Sequence, residues 1–178
     1  MQKNLYFLCP SENLEAVIEK SFPQENYFLS SLGNSISFSD DFILDINSLI
    51  ESKGIGKIIF ILSNNNRFIL DAMKNQEFKY IKELKEYYKT IEKRKVLTIK
   101  SYKNKNFTSL ITSHILKTKI NELNSNLFDW IRNKISIEGK IYDPTKNMFF
   151  DVRINIIEPE SLSVSYTHLT LPTSYPVE

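Results

Sequence analysis

Ser63, Asn64, Asn65 and Arg67 stand together after an apolar run at 57–62 and just before a helical pattern that begins at Phe68. Two amides, a hydroxyl and a guanidinium offer hydrogen-bond donors to a small anion, and a helix N-terminus beside them adds positive potential. The bland alternative is a polar cap on a sheet edge that also starts a helix. None of the four is a good metal ligand, nucleophile or general base. Gly33 and Asn34 form a second polar stop, most simply a positive-φ turn and secondarily a ligand contact. Cys9 is either a reactive thiol near a helix start or a small buried hydrophobe. His114, between Ile111 and Leu116 at a helical position, reads as a packed or surface residue. Place and residue types together suit binding better than turnover.

These residues need elements to hold them. Residues 4–8 read as a strand, and Leu14, Val17, Ile18 and Phe22 then recur at helical spacing until Pro23 closes the segment. A second strand is expected at 26–30. Ser39, Asp40 and Asp41 supply an N-cap and acidic first turn to a helix carrying Phe42, Ile43, Ile46, Leu49 and Ile50. A third strand follows at 57–62, then a long helical region over 68–93 with Asn75 and Gln76 as an interruption. A fourth strand is expected at 96–100 and a second long helix at 107–132. Residues 134–142 and 148–157 alternate polar and apolar around Asp143-Pro144-Thr145-Lys146-Asn147, the pattern of a β-hairpin. The alternation of strands and helices predicts an α/β fold: a mostly parallel sheet with crossover helices on both faces and a C-terminal hairpin. Loops 9–13, 30–35 and 63–67 then gather at the carboxyl edge, where such sheets bind ligands.

Bulk composition narrows the partners. The chain has 178 residues, enough for one domain with a proper core. A formal charge of +2 argues for neither nucleic acid nor membrane as a partner. The lysines over 79–95 alternate with Glu77, Glu83, Glu86 and Glu92, as on a solvated helix face. No apolar run reaches the roughly 20 residues of a membrane span. A single cysteine excludes an internal disulfide and makes a cytoplasmic location the default.

Residues 164–173, VSYTHLTLPT, break with the composition before them and resemble a translated sequencing adapter. The expected domain is therefore 1–162, with 163–178 an adapter-derived, disordered artefact that carries off His168.

The order of motifs resembles the β-class carbonic anhydrases. Ile137-Glu138-Gly139-Lys140-Ile141-Tyr142-Asp143, with Asn147 beyond it, is similar to that family's closing strand and hairpin. Leu32-Gly33-Asn34 resembles its Ala-Gly-Asn loop, and Phe60-Ile61-Leu62-Ser63 the strand leading to its His-x-x-Cys motif. Cys9 falls where the family places its first zinc-binding cysteine. The resemblance implies a zinc hydratase, but the other ligands are missing. Cys9-Pro10-Ser11-Glu12-Asn13 stands for Cys-x-Asp-x-Arg, Asn64 and Arg67 stand for the histidine and second cysteine, and Ser30 replaces an arginine. Catalytic zinc needs three protein ligands around an open position. The sequence therefore predicts no zinc, with Cys9 only a relic ligand position. It predicts a non-catalytic scaffold or binder of a small anion or metabolite, with a second copy as a further partner. The rivals are a hydratase with an atypical metal site drawing on carboxylates such as Glu12 or Asp71, a Cys9-dependent enzyme, and a subunit completed by another protein.

Overall fold

The computed structural model describes residues 2–101 and 107–152. Strand β1 (Lys3–Leu8) is followed by a 3₁₀ turn (Pro10–Glu12), helix α1 (Glu15–Ser21) and strand β2 (Glu25–Ser30). A second 3₁₀ turn (Leu32–Asn34) leads to α2 (Asp40–Lys53), β3 (Ile55–Ser63) and α3 (Arg67–Met73). Then come α4 (Lys85–Ser101), α5 (Phe107–Asn126), α6 (Asp129–Arg132), β4 (Ser136–Asp143) and β5 (Met148–Asp151). The sheet order is β2-β1-β3-β4-β5. β1, β2, β3 and β4 are mutually parallel where they pair, and β5 returns antiparallel on β4.

Side-chain alternation along the strands sorts the core into two layers. Leu5, Phe7, Ile58, Phe60 and Leu62 face one side, under α2, α3, α4 and α5. Tyr6, Leu8, Ile59, Ile61 and Tyr142 face the other, under Leu14 and Ile18 of α1. Phe7 and Phe60, Cα partners in the β1–β3 ladder, stack with ring centroids 4.5 Å apart. α2 begins where the acidic turn predicts: the Ser39 Oγ accepts from the Phe42 N–H, and Gly54 ends the helix at φ 66°.

The chain leaves β1 for β2 on one side and returns to β3 on the other. That reversal opens a crevice at the carboxyl ends of β1 and β3, where Cys9 follows β1 and Ser63 ends β3. The predicted α/β architecture and the gathering of the three loops are therefore observed. No helix among the described residues is long and apolar enough to cross a membrane.

Several elements differ from the sequence expectation. The run at 96–100 is the end of α4, not a strand. Its β-branched residues match either period, but no Gly or Pro breaks the chain from Lys85, and β4 already fills the sheet position beside β3. The helical region at 68–93 is two helices separated by residues 74–84. Asp71 ends the first: its carboxylate accepts from the Glu77 and Phe78 N–H groups at 3.1 Å each, and Gln76 turns to φ 56°. The expected helix at 107–132 breaks at 127–128 into α5 and α6. β4 is a hairpin strand as expected, but it also pairs parallel to β3. Residues 153–157 of the expected second hairpin strand, and the 163–178 segment with His168, lie outside the described residues.

Phe60 sits at 0% exposure in the centre of the larger core layer. Its replacement by Ala is expected to cost about 3–5 kcal/mol, measured by urea unfolding, whereas Leu44→Ala, at a 55% exposed position, stays near neutral.

Candidate functional site

The carboxyl edge is held together by one amide and one carboxylate. Asn34 is fully buried, and its Nδ2 donates to the Phe7 carbonyl at 3.2 Å and the Ile61 carbonyl at 2.9 Å. It thereby bridges the ends of β1 and β3 where the strands diverge. Gly33, at φ +61°, aims its N–H at the Cys9 Sγ, 3.1 Å away. Cys9 is 1% exposed and also contacts the Ser11 Oγ at 3.1 Å.

Glu12 makes the second bridge. Its Oε1 accepts from the Ser63 N–H at 2.8 Å and from the Asn66 Nδ2 at 2.9 Å. Asn66 in turn caps α3, its Oδ1 accepting from the Phe68 and Ile69 N–H groups. One carboxylate therefore orients the cap of a helix that begins four residues beyond the β3 end it also holds. The Glu12 Oε2 is buried and without a hydrogen-bond partner among the described residues. Burial pushes the Glu12 carboxyl up to about 7, against the opposing pull of the Asn66 and Ser63 hydrogen bonds.

Tyr87 of α4 closes the crevice from above. A Cβ added to Gly33 would lie 2.8 Å from both the Cζ and the Oη of Tyr87, so only glycine admits the phenol. The Tyr87 hydroxyl is buried without a partner among the described residues, as are the Asn34 Oδ1 and the Ser31 Oγ. Burial raises the Tyr87 phenol well above its usual range, with the nearby Cys9 and Glu12 charges adding to it.

The residues singled out in the sequence divide. Ser63 is buried, and its hydroxyl bonds the Asn65 side chain; Asn65 itself is exposed. Asn64 turns toward β4: its N–H donates to the Tyr142 carbonyl at 2.9 Å, and it lines a cleft together with Asp143. Arg67 is exposed and lies over the Phe78 ring, 4.8 Å from its centroid. Gly33, Asn34, Cys9 and Ser63 thus share the crevice, while Asn64, Asn65 and Arg67 leave it. Asp71 is occupied by the Tyr88 hydroxyl at 2.5 Å. His114 is half-buried on α5, beside a groove of about 740 Å³ against β4 and remote from the crevice loops. Glu12, Asn66 and Tyr87 complete the site. Glu12 and Asn66 lie inside the polar loops already marked, and Tyr87 has no sequence signal beyond a tyrosine pair in a charged helix.

The donor set does not fit a zinc ion. Cys9 supplies one thiol, and the other two positions carry an amide, Asn64, and a cation, Arg67, which lies over Phe78. No group of three His, Cys, Asp or Glu side chains placed to hold a metal occurs among the described residues.

A mostly parallel α/β sheet with a crevice at the β1–β3 reversal and an antiparallel β5 at its edge matches a known class. The fold is that of the β-carbonic anhydrases. The β-carbonic anhydrase CafA of Aspergillus fumigatus is 13% identical, with a TM-score of 0.70 over 90% of this chain and 78% of that one. Wild-type CafD of the same fungus is 14% identical, with a TM-score of 0.68 over 85% and 89%. A β-carbonic anhydrase from Sordaria macrospora, one of two described as tetrameric, is 13% identical, with a TM-score of 0.67 over 84% and 80%. No protein-family model matches the sequence, and no curated protein matches it.

Glu12 gives the site a pH signature. Its folded value of about 7 exceeds the usual unfolded value near 4.3, so the folded state holds the extra proton between them. Its contribution is full below the unfolded value and is lost as pH rises to about 7. Relative to Glu12→Gln, wild type is expected to lose stability on the order of 3 kcal/mol between pH 4.5 and 8, read by urea unfolding at each pH. A constant difference across that range contradicts the assignment.

Proposed function

We propose that the chain is a non-catalytic carbonic-anhydrase-like domain that serves as a scaffold and not as a zinc hydratase. The supporting observation is the divergence of the three family ligand positions. Cys9 points into the crevice and is engaged by Gly33 and Ser11, Asn64 turns to β4, and Arg67 covers Phe78. A metal centre needs its ligands to converge within about 2.3 Å of one point. Hydrogen bonds accepted by Glu12 and donated by Asn34 instead tie the ends of β1 and β3 together. A Cys9-dependent reaction has little support from a thiol that is 1% exposed beneath Tyr87.

A second reading, binding of a small anion or metabolite at the same edge, is favoured by one feature. A cleft of about 520 Å³ opens beside Asn64, walled by Ser109, Ser113, Asp143, Lys146 and Phe150. Lys146 and the two serines supply donors, and Asp143 supplies a carboxylate. This reading uses Asn64 more than Ser63, Asn65 or Arg67. The three residues nearest the α3 start are already engaged with one another, with Phe78 or with the cap.

Self-association belongs to the same proposal. The similar Sordaria enzymes are described as tetrameric, and β2 is an edge strand of the sheet among the described residues.

The first measurement is the zinc content of protein purified without chelator, together with carbon dioxide hydration by stopped flow. Well under one equivalent of zinc and no rate above buffer are expected; one equivalent with activity overturns the scaffold reading. Light scattering on the same sample is expected to show a dimer or larger species, and a monomer at all concentrations removes the self-association claim.

A further inference from the structure

Tyr87 has two different neighbours. Its hydroxyl tip lies against Gly33 on the crevice side, while its body lines a cavity of about 450 Å³ with Ser35, Ile36, Lys82, Ile115 and Lys119. The ring therefore stands between an open cavity and the cluster of Cys9, Glu12 and Asn34, in which Glu12 is half-buried. Behind that wall three buried polar atoms lack partners among the described residues: the Tyr87 hydroxyl, the Glu12 Oε2 and the Asn34 Oδ1. Asn34 is 0% exposed and Tyr87 6%. A buried polar atom left unpaired costs about 1–3 kcal/mol, more for a charged group, so three together leave a strong incentive for a partner.

The chemistry of these atoms selects the partner. The Glu12 Oε2 and the Asn34 Oδ1 are acceptors, and one belongs to a carboxylate. The donors that already serve Glu12, the Ser63 N–H and the Asn66 amide, both bind Oε1. No lysine or arginine bonds Glu12 among the described residues. A small anion would meet a carboxylate and a carbonyl oxygen; a compact cation carrying N–H groups would meet complementary ones.

We propose that Tyr87 is the gate of a binding site for a compact amidinium or primary-ammonium group, with Glu12 and Asn34 as its acceptors and the 450 Å³ cavity as its vestibule. The gate opens by rotation of the phenol off Gly33 into the cavity its ring already borders. The glycine is required because a side chain there would collide with the closed gate. This site goes beyond the scaffold reading and is separate from the cleft beside Asn64, so failure of either leaves the other standing.

The test uses the intact chain, acetamidinium as the probe, sodium acetate as the same-sized control and iodoacetamide alkylation of Cys9 at pH 8 as the readout. Tyr87→Ala is expected to speed alkylation roughly tenfold by admitting the reagent. Acetamidinium at twice its dissociation constant is expected to slow alkylation about threefold in that variant and in wild type. Acetate gives no protection, and adding Glu12→Gln abolishes the effect of acetamidinium. Tyr87→Leu, which keeps apolar bulk, serves if the Ala variant does not fold. An alkylation rate unchanged in both variants shows that Tyr87 is not the wall and overturns the proposal. So does equal protection by acetate, or no protection by either probe, which would leave buried water as the only partner of these atoms.

Discussion

Parallel strands that part company expose backbone groups at their ends, and here the Asn34 side chain resolves that problem. The β1–β3 reversal leaves the Phe7 and Ile61 carbonyls side by side at the crevice mouth, and one amide nitrogen serves both. To reach them the chain must turn through Gly33 and Asn34 at φ 61° and 56°. That turn sets the Gly33 N–H against Cys9 and leaves a gap where a Cβ would be. The gap admits Tyr87, and Tyr87 fixes where α4 can pack. One buried amide thus governs the loop, the thiol and a helix on the far side of the core.

Glu12 repeats the device with a carboxylate. A carboxylate is stronger than an amide as an acceptor but costs more to bury, which explains why its proton is held until about pH 7. The cost is tolerated because Glu12 closes two problems at once, the Ser63 N–H at the strand end and the orientation of the Asn66 cap. Among the described residues only one carboxylate oxygen is paired.

The sequence exposes most of this architecture because its signals are local. Apolar runs ending in small polar residues mark the carboxyl edge, Ser39 and Gly54 bracket α2, and Pro23 closes α1. Where signals are ambiguous the reading fails. The 96–100 run suits a strand or a helix, and only the absence of a sheet position for it decides. Asp71 breaks the helical region by a side chain that captures backbone N–H groups six and seven residues away, which periodicity does not report. The site divides in the same way. Gly33 and Asn34 lie in the loop that sequence marks, whereas Tyr87 enters by a tertiary contact with nothing in its own helix to announce it. Arg67 shows the converse: its position in sequence invites an anion, and the fold adds a contact with the Phe78 ring that the sequence does not announce.

A metal ion at the ends of β1 and β3 would be a far stronger tether than the hydrogen bonds observed there. Zinc contributes about 10–16 kcal/mol in small zinc domains that have little else to hold them. Each hydrogen bond at this edge contributes only about 0.5–1.5 kcal/mol net, or up to about 3 where a charge is involved. Four such bonds, two from Asn34 and two to Glu12, fall short of a metal. They suffice because the demand is smaller: Leu5, Phe7, Ile58, Phe60 and Leu62 are already buried at 1% exposure or less directly behind the edge. The hydrophobic layer holds the strands together and the polar groups need only satisfy their ends. Beside those satisfied ends lie unpaired acceptors among the described residues and an aromatic wall that only a glycine at position 33 admits.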